Sequence, residues 1–155
     1  MSLESVRQFF AERAPDIGII ELAESTATVA LAARAHHVKP GQIAKTLSLK
    51  VKNQVILIVT CGDLRLDNRK LKAMLGSKAR MLSSDEVVSW TGHPVGGVCP
   101  FGLETPLPVF CDLSLKQYEE VLPAAGSIYS AVRISPQLLA ELTDATWVDV
   151  CQPAE

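Results

Sequence analysis

Apolar residues recur at Leu3, Val6, Phe9 and Phe10 with polar positions between them, a spacing that predicts an N-terminal helix with Ser2 or Ser5 at its start. "TVALAARA", beginning at Thr28, predicts a second, alanine-rich helix capped by Ser25, Thr26 or Thr28, and Pro40 and Gly41 then break the pattern. The period changes at "IAKTLSLKV" and "QVILIVTC", two stretches rich in leucine and β-branched residues around a short polar connection. The second is apolar almost throughout, so it belongs at the centre of a sheet.

Further along, "DNRKLKAMLG" predicts a short helix that ends at Gly76, and "ARML" a brief strand. "SSDEVVSW" opens with a serine cap and early acids, as a helix start should. "LPVFCD" predicts a strand, "SLKQYEEVLPAAG" a helix ending before Pro123, and "SIYSAVRI" another strand. Ser135 and Pro136 mark the start of a last helix, and "TWVDV" returns to the sheet. Strands and helices mingle without the regular alternation of a doubly wound fold. The expected class is a single α+β domain spanning residues 1–155.

Composition narrows this only a little. With 155 residues, 48% of them hydrophobic, the chain can build one substantial core. The first twenty residues lack a basic leader followed by an apolar run, and no apolar stretch could span a bilayer, so a cytoplasmic protein without membrane contact is expected. Cys61, Cys99, Cys111 and Cys151 are widely spaced and form no CxxC pair, which predicts free thiols and no metal site. The net charge of −2 hides a division: eleven of the 15 Lys and Arg lie between Arg34 and Arg80 with two acids, Asp63 and Asp67. A nucleic-acid partner on one face and an ordinary solvated surface are both compatible with that split.

Candidate chemistry gathers in two places. Lys45, in "GQIAKTL", stands where a strand begins among apolar neighbours. Its string is first that of a surface lysine with its stem over its neighbours, although a lysine head in a cavity can present charge to a phosphate or a carbonyl oxygen. "TGHPVGGVCPFG", residues 91–102, holds four glycines and two prolines around His93, Cys99 and Phe101. Its glycine spacing is that of neither a dinucleotide loop nor a P-loop, but such a loop can expose successive backbone amides to a ligand. No serine or acid is spaced to make His93 part of a triad, and nothing in the string activates Cys99 as a nucleophile. His36 and His37, adjacent near a helix end, are expected at the surface. Asp112, between a predicted strand and a predicted helix, is placed as a cap.

Taken in order, "TVALAARAHHVKPGQIAKTL", "VTCGDLRLDNRKLKAMLG", "LSSDEVVSWTGHPVGGVCPFGL", "PVFCDLSL" and "LPAAG" resemble the YbaK-type aminoacyl-tRNA deacylases. These are related to the editing domain inserted in some bacterial prolyl-tRNA synthetases. The resemblance runs from about residue 15 to residue 150, and the lysine block and the glycine loop occur in the family's order. It implies a mixed, partly barrel-like β-sheet surrounded by helices, with a pocket for the aminoacylated 3′ end of a tRNA and no cofactor. Lys45 would engage the terminal adenosine or its phosphate. The family's G-x-x-x-P element falls on Gly96 to Pro100, with the Gly96 and Gly97 amides beside the ester. Thr28 and Asp112 match a family threonine and aspartate, and Thr46, His93, Val98, Cys99, Pro100 and Phe101 would complete the substrate pocket. His93 stands where the family often has an aromatic residue and Cys99 where it often has serine.

The implied activity is hydrolysis of the ester of mischarged tRNA. Alanyl- or cysteinyl-tRNA(Pro) are the leading substrates, and seryl- or threonyl-tRNA, or binding without catalysis, the alternatives. The partners expected are the aminoacylated 3′ end and, transiently, an aminoacyl-tRNA synthetase.

Overall fold

The computed structural model describes residues 2–153. Helix α1 (Ser2–Arg13) carries Glu4 in its first turn and Arg13 in its last, and buries Val6 and Phe10. After the short strand β1 (Ile20–Glu21), helix α2 (Val29–His36) starts at Thr28, whose hydroxyl accepts from the Leu31 amide. That leaves Thr28, of the three caps the sequence offers, as the one used. A 3₁₀ turn at Pro40–Gln42 leads into β2 (Ile43–Val51), which turns through left-handed Lys52 into β3 (Gln54–Cys61).

β4 (Leu64–Leu66) precedes α3 (Asn68–Leu75), which Asp67 caps and Gly76 ends. β5 (Ala79–Met81) is followed by α4 (Ser84–Thr91), where Ser83 and Glu86 form a reciprocal capping box. β6 (Val109–Asp112), β7 (Leu122–Pro123), β8 (Ser130–Ala131), α5 (Pro136–Thr143), β9 (Thr146–Val148) and β10 (Cys151–Pro153) complete the chain.

The main sheet is mixed, in the order β5-β2-β3-β6-β9, with β7 added in parallel beside the start of β2. β2 runs antiparallel to β3 and β5, whereas β6 is parallel to both β3 and β9. The sheet stays open, and the two-stranded pairs β1–β8 and β10–β4 stand apart from it. β3 divides the core: Leu57, Val59 and Cys61 join Phe10, Phe101 and Leu139 in one apolar cluster, while Ile56 and Ile58 join Leu49, Leu71 and Val150 in another. A strand buried on both faces explains its unbroken apolar run.

Three expectations are corrected. The segment predicted as a helix before Pro123 forms only a 3₁₀ turn, Leu113–Gln117, and leaves it extended at Tyr118. Val121 and Leu122 are then fully buried through a bridge to Ile134 and pairing with β2, so sheet contacts outweigh the helical spacing. The strand expected over "SIYSAVRI" shrinks to Ser130–Ala131, with isolated bridges at Ala131 and Ile134. His36 is not at the surface but 7% exposed; only His37, in the left-handed position that ends α2, is exposed. Adjacent helical residues project about 100° apart, which separates the two rings.

Candidate functional site

A cavity of about 310 Å³ opens between α2, β2, the β5–α4 segment and the glycine loop. Val29, Ala32 and His36, at helical spacing, bring one face of α2 to it. Ala44, Thr46 and Ser48 alternate along β2 and share the strand face that lines it. Leu82 and Val87 add apolar wall, and Met81 and Val95 are exposed side chains at its edge. Ser130 closes another side, its hydroxyl 2.7 Å from that of Ser127.

Of the residues the sequence nominated, Thr28, Lys45, Thr46, Gly96 and Val98 are brought together around this cavity. Lys45 is the charged residue among the described residues that line it, and its side chain leaves β2 on the face opposite Ala44, Thr46 and Ser48. Its ammonium donates to the carbonyls of Gly62, at 3.4 Å, and Leu64. Gly62 packs against Val29, so the lysine head lies by the start of α2. Partial burial pushes the Lys45 pKa below its ordinary value, against the opposing pull of Cys151, Asp63 and Cys61. Gly96 adopts a left-handed φ of 91°, and a side chain there would come within 3.0 Å of the Ala27 β-carbon. Glycine is what lets the loop approach the segment before α2 this closely.

The remaining nominated residues lie elsewhere. Gly97 is buried against Ser127, its amide donating to the Pro94 carbonyl and its carbonyl accepting from Gly126. His93, Cys99 and Phe101 are 0% exposed, and Cys99 and Phe101 belong to the core cluster that holds Val6 and Phe10. Neither these three nor Pro100 lines the cavity.

The Phe101 carbonyl can only accept, so His93 Nε2, 2.7 Å away, carries the proton and Nδ1 accepts from the Ser2 hydroxyl. Burial lowers the His93 pKa, which keeps this ring neutral, and pushes the Cys99 thiol up to about 12. Asp112 is also buried, with one carboxylate oxygen accepting from the Val150 amide at 2.9 Å and the other from the Ser114 amide at 3.1 Å. That is a capping and bridging position.

Sequence reasoning passed over Thr26, Ser48, Ser130 and His36, all of which line the cavity. Ser48 was legible from the strand period, two places beyond Thr46. Ser130 carried no local signal, and His36 is a histidine at a position where α2 otherwise turns alanines inward. Two cavity residues keep a buried polar atom with no hydrogen-bond partner, Nε2 of His36 and Oγ1 of Thr46. All four cysteines are free, and among the described residues no three His, Cys, Asp or Glu side chains gather as metal ligands. No helix among them is long and apolar enough to cross a membrane.

The arrangement is a small, mainly apolar chamber with one cation at its side, hydroxyls on its floor and a glycine backbone at its lip. Such a chamber suits a small apolar or hydroxylated group attached to something anionic. Over its whole length the chain is 45% identical to the uncharacterized protein YwhH of Bacillus subtilis, with all of both chains covered. It is 34% identical over 91 residues to the proline–tRNA ligase of Citrifermentans bemidjiense, a match that takes in 58% of this chain and 16% of that much longer enzyme. A solved structure described as a candidate trans-editing enzyme for prolyl tRNA synthetase superposes with a TM-score of 0.91 at 34% identity, covering 97% of each chain. The sequence model of the aminoacyl-tRNA editing domain matches residues 23–142, a span that holds every residue of the cavity, and the chain belongs to that family.

Proposed function

We propose that the chain, as one editing domain over residues 1–155, hydrolyses the ester that joins a wrongly attached amino acid to the 3′ end of a tRNA. The observation that carries this reading is the cavity itself: Lys45 is its cation, and Gly96 brings backbone to the opposite lip. In the reaction water adds to the ester carbonyl, the acyl–oxygen bond breaks, and the ribose oxygen leaves with a proton. What the protein must supply is register and stabilisation of the developing oxyanion. Lys45 supplies positive charge for the terminal adenosine phosphate once its ammonium leaves the Gly62 and Leu64 carbonyls. The loop backbone at Gly96 and Val98 orients the ester. With His93 and Cys99 in the core and Gly97's amide committed to Pro94, neither a side-chain base nor a thiolate is asked to act. The attacking water is held by backbone and by the substrate's own 2′-hydroxyl.

The cavity volume suits a small amino acid. Likeness to proline–tRNA ligases favours alanyl- and cysteinyl-tRNA(Pro) as substrates. Seryl and threonyl esters form a second reading, favoured by the unpartnered atoms of His36 and Thr46. Lys50 stands opposite Arg80 where β2 meets β5, next to Met81 at the edge of the cavity, and offers charge to the tRNA backbone, whereas Arg80 is paired with both carboxylate oxygens of Glu86. A tRNA substrate favours a cytoplasmic location, with transient contact to a synthetase.

The test is release of amino acid from a panel of mischarged tRNAs: alanyl- and cysteinyl-tRNA(Pro) first, then seryl and threonyl esters. Rapid deacylation of one member, abolished by Lys45→Ala and kept by Cys99→Ser, is the expected result. No release across the panel would leave a tRNA-binding module without catalysis as the better account.

A further inference from the structure

His36 is the least expected feature of the cavity. Its neighbours on the same face of α2 are Val29 and Ala32, and the helix packs by its small residues against Ile43 and Leu122. An apolar residue would fit such a wall without leaving a polar atom behind. Instead the imidazole is buried and its Nε2 meets no protein partner. Thr46, facing the same cavity from β2, repeats the situation with its hydroxyl. Three other polar residues of the chamber differ: Thr26 donates to the Ile128 carbonyl, Thr28 caps α2, and Ser130 pairs with Ser127. Buried polar groups in native proteins are almost always paired, so two orphans in one cavity mark where a ligand supplies the partners.

We propose that His36 and Thr46 form a recognition pair for a hydroxyl on the side chain of the aminoacyl group, and that His36 sets the preference of the site among small amino acids. This rests on the editing reading and takes its second substrate class, the seryl and threonyl esters, over the alanyl and cysteinyl esters that likeness to proline–tRNA ligases favours. Burial and the nearby positive charge of Arg133 lower the His36 pKa, so the ring is neutral and one of its nitrogens can accept. A hydroxyl can donate to that nitrogen while accepting from the Thr46 Oγ–H. An alanyl methyl satisfies neither group and leaves both buried and unpaired. Such a site discriminates through the unmet hydrogen bonds, which a purely apolar pocket cannot do. The α-amine and the ribose hydroxyls are common to all aminoacyl ends, so a pair that read those would give no preference.

The experiment compares wild type, His36→Leu, His36→Gln and Thr46→Val on seryl and alanyl esters of one tRNA body, reading kcat/KM for each. Binding of stable 3′-seryl- and 3′-alanylamido-adenosine is measured alongside by calorimetry. Wild type is expected to prefer the seryl form in both measurements. His36→Leu and Thr46→Val should each shift the seryl-to-alanyl ratio by at least about tenfold toward alanyl, with His36→Gln retaining most of the preference. The melting temperature of His36→Leu should not fall, because an unpaired buried polar group is replaced by an apolar one. Equal loss on both esters, or no seryl preference in wild type, would overturn the proposal. Absence of hydrolysis with a seryl-analogue preference that His36→Leu removes would refute the deacylase and leave the recognition pair standing.

Discussion

The segment from Thr91 to Gly102 has two sides, and they differ in kind. One side, Val95, Gly96 and Val98, meets the cavity. The other, with His93, Cys99 and Phe101, is sealed from solvent; Cys99 and Phe101 pack into the core and His93 hydrogen-bonds Ser2. The side chains that look reactive in the string are therefore on the packed side, and the plain ones are on the side that meets the cavity. Reactivity is decided by environment: full burial holds Cys99 as a thiol and His93 as a neutral, doubly hydrogen-bonded ring. What the cavity side offers instead is backbone that only glycine allows to come so near Ala27.

Substitutions should separate the two sides. The largest effect on activity is expected from Lys45→Ala, a loss of about a hundredfold or more in kcat/KM with melting temperature nearly unchanged, as for removal of a charge contact made with the substrate. On the packed side, Phe101→Ala should cost about 3–5 kcal/mol of stability in chemical denaturation, since the ring is enclosed and stacks edge-on at 4.7 Å from Phe10. The two-sided picture fails if that variant keeps its stability. Gly96→Ala acts on both: a left-handed φ and the Ala27 contact should destabilise by about 1–2 kcal/mol and slow deacylation.

Acid should act on both regions, through His36 in the cavity wall and His93 on the packed side. His36 and His93 have folded pKa values below the ordinary 6.5, so the unfolded chain takes up protons first. Stability is then whole above about pH 6.5 and falls as pH drops below it, by roughly 1 kcal/mol per pH unit for each histidine. A denaturation series from pH 7.5 to 5 reads this slope directly; a flat profile contradicts neutral burial. The smallest effect belongs to Cys99→Ser, which should leave deacylation within about threefold, and native protein should resist thiol alkylation because all four cysteines are buried.

Local chemistry in the sequence foretold much of the fold. Ser83 and Ser135 cap the helices they were expected to cap, Gly76 ends α3, and the unbroken apolar run of β3 lies mid-sheet. These signals are short-range, set by residues that satisfy backbone groups a few positions away. The segment before Pro123 misled because its helical spacing was local while its destination, beside Ile43 and Ile134, was set by pairing across long stretches of chain. Lys45, Thr46, Thr28 and the glycine loop were nominated from sequence and resemblance together. His36 was missed because burial on a helix depends on what packs over it, and Leu122, which packs against α2 with Ile43, arrives from a distant segment.

The claim that the cavity side of the loop is the binding side is tested most directly by amide chemical-shift mapping with a non-hydrolysable 3′-aminoacylamido-adenosine. Saturable shifts at Thr28, Lys45, Thr46, Gly96 and Val98, with His93 and Cys99 little changed, are the result the account predicts. Shifts centred on His93, Cys99 and Asp112, with the α2–β2 wall silent, would contradict it.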